Sequence, residues 1–213
     1  MTTQQAAKKD PSTGKRPSAR ERIFETACDL FYRKGIRGVG VESIAAAAGT
    51  TKMSLYRNFP SKDDLVVECL KNEDREFFEW WDEVIAPCAG DPRAQITALF
   101  REFETHTCDE TGSRGCALAN AAVELPDLEH PARAVVLDHH RQIRSRLREL
   151  CRQAGARDPD TLGDSLMLLM GGSYMARLIF PTTGAIESVT EAARILIESE
   201  IGVDAPVPSP TGD

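Results

Sequence analysis

The chain has 213 residues, 41% hydrophobic and 28% charged, the balance of an ordinary globular protein with apolar side chains enough for one or two small cores. Its six cysteines (Cys28, Cys69, Cys88, Cys108, Cys116, Cys151) form no Cys-x-x-Cys pair, and the first residues do not read as a secretory leader. Neither a zinc ribbon nor a disulfide framework is therefore expected, and a reducing cytoplasm is the expected setting.

The longest apolar stretch, Leu166 to Phe180, is interrupted by Gly171, Gly172 and Arg177 and falls short of the roughly 18 uninterrupted apolar residues of a membrane helix, so no membrane partner is expected. Formal charge is −7 but unevenly spread. Residues 1–66 carry 12 Lys and Arg against 7 Asp and Glu, net +5, and the remainder carries 14 against 26, net −12. A polyanion-binding front end on an acidic body fits that split; a basic tail without a partner fits it equally.

Residues 1–17 hold Lys8, Lys9, Lys15, Arg16 and two prolines with almost nothing large and apolar, and are expected to be a disordered basic arm. Ser18 and Glu21 make a capping-box pattern before a helix whose apolar face is Ile23, Phe24, Ala27, Leu30 and Phe31, ended by Gly35. A second helix is predicted from Val41 to Ala48, stopped by Gly49. A third, following Thr50 and Thr51, carries Met53, Leu55, Tyr56 and Phe59 up to Pro60. Ser61 and Asp64 cap a long fourth helix that ends near Pro87.

Further helices are predicted over Pro92 to Asp109, Gly115 to Glu124, His130 to Ala154, Asp160 to Phe180 and Ala185 to Ile201, with a loose proline-bearing tail over residues 203–213. No segment reads as a strand and no repeat is found. The fold class is thus all-α: a three-helix front module over residues 18–65 and a helical body over residues 66–202.

The informative segment is Ile44 to Phe59. Ile44, Ala45 and Ala48 make a small-residue apolar face against which another helix can sit closely, and Gly49 supplies a tight turn. This is a helix-turn-helix, whose second helix enters the DNA major groove by its N-terminal half. Lys52, Met53, Ser54 and Arg57 are then placed to reach base edges or phosphates, with Thr50 and Thr51 at the start of the same surface.

With its flanks the segment resembles the DNA-binding domain of the TetR (tetracycline repressor) family. The matching residues are Ile23, Ala27, Leu30, Phe31, Gly35, Val41, Ile44, Ala45, Ala48, Gly49, Thr51, Leu55, Tyr56, Phe59, Lys62 and Leu65. The resemblance implies a homodimeric repressor of a palindromic double-stranded DNA operator, released when an unknown small-molecule effector enters the body. It also implies that Tyr56 and Lys62 bind phosphates, Lys62 with help from the amide end of the fourth helix. Val39 and Gly40 depart from the family's hydroxyl residues, removing one expected backbone anchor. Met53 stands where a small residue is usual.

In the body, His106, Cys108, Cys116, His130, His139 and His140 match no metal spacing, and no nucleophile elbow or phosphate loop is present, so neither a metal, a cofactor nor an enzyme activity is expected. The small-residue run Arg114 to Glu124 leaves either tight packing or room for a ligand, with Asn120 and Glu124 one turn apart. Trp80, Phe103, His106, Cys116, Asn120, Met167, Met170 and Tyr174 are the candidate ligand contacts, plain core being the alternative.

Gly163, Gly171, Gly172, Ser173 and Ala176 weaken a helix, by about 1 kcal/mol for each glycine; close approach of a second subunit would offset this, and a kink or a ligand-facing gap is the competing explanation. The resemblance implies dimerisation through the last two helices, with Gly171, Gly172, Ala176, Ala192 and Leu196 at the interface. The rival readings are an activator or dual regulator on the same fold, and a helical ligand-binding protein or enzyme with a vestigial helix-turn-helix.

Overall fold

The computed structural model describes residues 17–107, 114–180 and 185–202. The predicted arm except Pro17, the tail and Cys108 lie outside the described residues. Among the described residues there are nine α-helices and no strand: α1 (Ala19–Lys34), α2 (Val41–Ala47), α3 (Lys52–Asn58), α4 (Lys62–Ile85), α5 (Pro92–Thr107), α6 (Ala117–Glu124), α7 (Pro131–Gln153), α8 (Pro159–Ile179) and α9 (Val189–Ile201).

The signals at the helix ends act as predicted. Ser18 and Glu21 complete a reciprocal capping box on α1, and the Ser61 hydroxyl accepts from the Asp64 amide at 2.9 Å on α4. The last helix is shorter than expected, because Ala185–Ser188 forms a separate 3-10 turn before α9.

Two apolar cores form. The first joins α1 to α3 with the start of α4, α6 and the start of α7, around Ile23, Ile44, Leu55, Phe59, Leu65 and Ala121. The second joins the far half of α4 with α5, α7, α8 and α9, around Trp81, Phe100, Leu147 and Leu166. With 24 residues, about 36 Å long, α4 belongs to both: Leu65, Val66, Cys69 and Leu70 lie in the first core, Phe77, Phe78, Trp80 and Trp81 in the second. A rigid rod therefore connects the front module to the body.

The cysteines are less isolated than their spacing implies. Cys28 of α1 and Cys69 of α4, 41 residues apart, are joined as a disulfide with a Cα separation of 5.4 Å, whereas Cys88, Cys116 and Cys151 are free thiols. Sequence spacing carries no signal for this pair, since each cysteine simply occupies a core-facing position of its own helix.

Gly163 has an explanation other than a subunit interface. A Cβ there would lie 2.7 Å from Arg148 Cγ and 2.8 Å from Arg148 N and Cα, so α7 and α8 cross with backbone almost in contact. A Cβ on Gly171 or Gly172 would instead meet nothing within 4 Å. Gly163→Ala should lose about 1–2 kcal/mol in urea unfolding, since forced overpacking of backbone outweighs the roughly 1 kcal/mol gain in helix propensity. Gly171→Ala, tested beside it, meets no clash within its own chain.

Four arginines in the second half of α7 are engaged within the chain. Arg144 and Arg148 each grip Asp164 with two hydrogen bonds, Arg148 and Arg152 reach Asp160, and Arg146 reaches Asp82 at 2.5 Å while lying over the Phe78 ring. The two guanidiniums hold the Asp164 carboxyl well below the usual carboxylate range.

Candidate nucleic-acid interface

Gly49, with φ +61°, turns the chain between α2 and α3. Ile44, Ala45 and Ala48 are buried on one side of α2, as are Leu55 and Phe59 on and just after α3. What this leaves outward on α3 is Thr51, Lys52, Met53, Tyr56 and Arg57, with Thr50 and Ser54 half-buried. The face predicted for the groove is thus the solvent face of the recognition helix, on which Met53 is 67% exposed. Thr51 caps the helix through an Oγ1 that accepts from the Ser54 amide at 3.1 Å, so this hydroxyl orders the helix start.

At α2 the expected lack of a cap is seen: Gly40 provides no side-chain bond, and Val39 is buried in the first core. Ser43 instead donates to the Gly40 carbonyl at 2.7 Å.

The basic residues are engaged to different degrees. Lys52 pairs with Glu42 of α2 at 2.5 Å, which raises the lysine pKa and lowers that of the carboxyl through the shared hydrogen bond. Arg57 lies beside the Met53 sulphur at 3.8 Å. Lys62 is turned inward: its ammonium donates to the Ile36 carbonyl at 2.6 Å and sits 5.8 Å from the Phe31 ring centroid. Its position at the first turn of α4 matches expectation, but its charge is spent on joining the α1–α2 loop to α4. Arg22 donates to the carbonyls of Ala48 and Pro17, and Arg20 pairs with Glu68 and covers the Phe59 ring.

Glu42 is the one residue here that sequence reasoning passed over, although an acid ten residues before Lys52 in a helix-turn-helix faces the same surface. Glu42→Gln removes both the competitor for Lys52 and a negative charge from the surface beside α3. DNA binding should tighten about three- to tenfold and gain close to one unit of salt slope, read by anisotropy at several salt concentrations.

The candidate ligand contacts divide between two places. Trp80, Phe103 and Met170 are buried, with Met167 and Tyr174 packed beside them, and the Phe103 and Tyr174 rings meet edge-on at 4.7 Å. His106 lies on α5, but its side chain is outside the described residues. Cys116 and Asn120 lie at the junction of body and front module, and Tyr174 links the two groups, since a Cβ on Gly115 would stand 3.5 Å from the Tyr174 Cβ. Cys116 caps α6, accepting from the Ala119 amide, and burial pushes its thiol pKa up, which disfavours a reactive thiolate.

Asn120 donates to the Arg114 carbonyl at 2.8 Å, Arg114 donates to the Arg33 carbonyl at 2.7 Å, and Glu124 accepts from the Arg37 amide at 3.1 Å. The run Arg114 to Glu124 therefore straps the body onto the end of α1, a role its small residues did not reveal. A cavity of about 30 Å³ lies there, lined by residues including Tyr32, Glu73, Asn120 and Glu124. That is room for a water molecule, far below the size of a drug-like ligand.

His130, His139 and His140 are each held by a hydrogen bond within the chain. His130 Nδ1 accepts from the Ala132 amide at the start of α7, and His139 Nδ1 lies 2.8 Å from Asp74. No group of three metal-ligating side chains occurs among the described residues.

On α8, Leu168, Gly171, Gly172, Met175 and Ile179 form an exposed stripe at helical spacing, with Ile195 exposed on α9. Ala176, Ala192 and Leu196 are half-buried beside it.

Comparison with known proteins agrees with this geometry. Residues 23–69 match the family model of bacterial regulatory proteins of the tetR family, and residues 92–193 match the tetracyclin repressor-like C-terminal domain. SCO4454, a TetR-family transcriptional regulator from Streptomyces coelicolor, is 32% identical with a TM-score of 0.74, over 85% of this chain and 93% of its own. The HTH-type transcriptional regulator LmrA of Bacillus subtilis is 29% identical over 141 residues, 64% of this chain and 73% of that protein. The transcriptional repressor KstR2 of Rhodococcus jostii is 36% identical over 90 residues, 43% of its length.

The fold and the exposed recognition helix define a helix-turn-helix transcriptional regulator. The chain belongs to the TetR family, as a DNA-binding regulator with a helical C-terminal domain of the family's ligand-binding type.

Proposed function

We propose that this chain is a cytoplasmic homodimeric repressor, without enzymatic activity, that binds a palindromic operator and releases it on binding a small-molecule effector in the body. The observation that carries the DNA-reading part is the outward face of α3. Thr51, Lys52, Met53, Tyr56 and Arg57 project from a helix whose other side, Leu55, is fixed in the core.

Tyr56 and Arg57 hold phosphates or base edges, Lys52 joins them when Glu42 releases it, and Met53 packs on the groove wall. Residues 18–65 form the reading module and residues 66–202 the effector and dimer module. A two-fold dimer through α8 and α9 places two copies of α3 in successive major grooves, about 34 to 36 Å apart.

The test is anisotropy of the full chain with the duplex upstream of its own gene and with duplexes selected from a random pool, against an unrelated control. Specific binding at least ~10³ tighter than control supports the reading. Tyr56→Phe with Arg57→Ala should weaken it and flatten its salt slope. Failure to select any duplex would overturn it.

A further inference from the structure

Besides the apolar core that it shares with α4, α6 and the start of α7, the reading module is fastened by a handful of specific bonds, one of them covalent. Cys28 sits in the middle of α1 and Cys69 two turns into α4, bonded across a Cα distance of 5.4 Å. The remaining specific bonds to the body are reversible polar contacts: Arg114 to the carbonyls of Tyr32 and Arg33, the Arg37 amide to Glu124 and Arg20 to Glu68. Both cysteines line the small cavity at the module junction, across from Asn120 and Glu124.

DNA occupies a compartment whose small-thiol pool keeps most protein cysteines reduced, so a bond there forms in response to oxidant and not as a permanent staple. Without the bond the two sulphurs withdraw to van der Waals separation, and the adjoining cavity gives them room to do so.

We propose that Cys28 and Cys69 are a reversible dithiol–disulfide couple that sets how firmly the reading module is held on α4, and through it operator affinity; the operator part rests on the function proposed above. The oxidant is a low-molecular-weight disulfide such as oxidised glutathione. Cys28 is half-buried while Cys69 is only 4% exposed, so Cys28 reacts first.

Its thiolate attacks one sulphur of the small disulfide, breaking that S–S bond, forming a mixed disulfide and releasing one small thiolate that takes up a proton. The Cys69 thiolate then attacks the Cys28 sulphur and expels the second small thiolate, which is also protonated. Two protein thiols have become one disulfide, and one small disulfide has become two thiols.

The dithiol is the resting form, in which α1 can adjust on α4 as the recognition helices settle into their half-sites. The disulfide fixes that crossing, so the modules keep the orientation that the body dictates and fit the operator less well.

The wild-type full chain is equilibrated across ratios of reduced to oxidised glutathione, and the state of Cys28 and Cys69 is read by differential alkylation and peptide mass. Amide exchange of α1 and α4 and anisotropy with duplexes selected by the reduced protein are measured on the same samples. The pair should pass from free to bonded within the glutathione range, α1 amides should exchange more slowly when it is bonded, and operator affinity should fall at least tenfold. Cys28→Ser, and separately Cys69→Ala in case either folds poorly, should keep one affinity at every ratio.

A pair that stays bonded or stays free throughout overturns the couple, as does an affinity that agrees within twofold between forms or rises on oxidation. If neither form selects any duplex while the pair titrates and α1 exchange responds, the DNA reading falls and the couple between α1 and α4 stands.

Discussion

Leu168→Arg combined with Met175→Arg should convert the protein to a monomer of 23.4 kDa in sedimentation equilibrium and lower operator affinity by about 10²–10⁴-fold. Leu168 is 77% and Met175 57% exposed, they lie seven residues apart on one face of α8, and Gly171 and Gly172 between them present bare backbone. An exposed apolar stripe of this kind marks an interaction surface, and the dimer proposed above would bury it against a second copy.

Burying one large apolar side chain contributes roughly 1.5–3 kcal/mol, and a two-fold axis counts each residue twice. Introducing four cations into such a contact would therefore abolish it. The fold of the single subunit should survive, since neither side chain belongs to either core, and helical circular dichroism with an unchanged unfolding midpoint of the isolated subunit would show this. A double variant that remains dimeric would place the interface on another face. One that becomes monomeric yet binds DNA as before would mean that a single recognition helix suffices.

Much of this architecture was legible because local signals agreed with one another. Ser18 with Glu21, Ser61 with Asp64, and Gly49 between two short apolar faces each mark a boundary by a mechanism confined to a few residues, and the structure uses each of them. The solvent face of α3 followed from the same periodicity.

What could not be read were the pairings between distant segments. Nothing near Cys28 indicates Cys69, nothing in the small-residue run from Arg114 indicates that it grips the end of α1, and nothing around Gly163 indicates Arg148. Lys62 shows the same limit within the site. Its position was assigned correctly, whereas the direction of its side chain depends on the Ile36 carbonyl 26 residues earlier. The body residues grouped as ligand contacts shared an aromatic and methionine composition, and composition does not distinguish the packed wall of a core from the lining of a pocket.

Glu73→Gln should stabilise the protein at pH 8 by up to about 3 kcal/mol and leave it close to wild type near pH 4.5. Glu73 sits on α4 between the two cores, where burial raises its carboxyl pKa from the ordinary 4.5 to about 7, with Glu76 adding repulsion. Between those values the folded chain keeps the proton and the unfolded chain does not. The stability this confers is fully present below pH 4.5 and is lost as pH rises through 7; above that the native state holds a carboxylate in an unfavourable place. Glutamine is neutral throughout and escapes the loss.

His139 runs the other way. Burial, and secondarily His140, lower its pKa against the opposing pull of Asp74, so it removes stability as pH falls below about 6.5. Absolute pH profiles mix the two groups, while the difference between wild type and Glu73→Gln cancels the histidine. Urea unfolding at pH 5, 6, 7 and 8 should give a difference that opens from pH 5 upward and levels off above 7. Parallel profiles would show that Glu73 is solvated in the native state. An opening difference would instead establish a carboxyl that ionises near neutral pH on the rod that joins body to reading module.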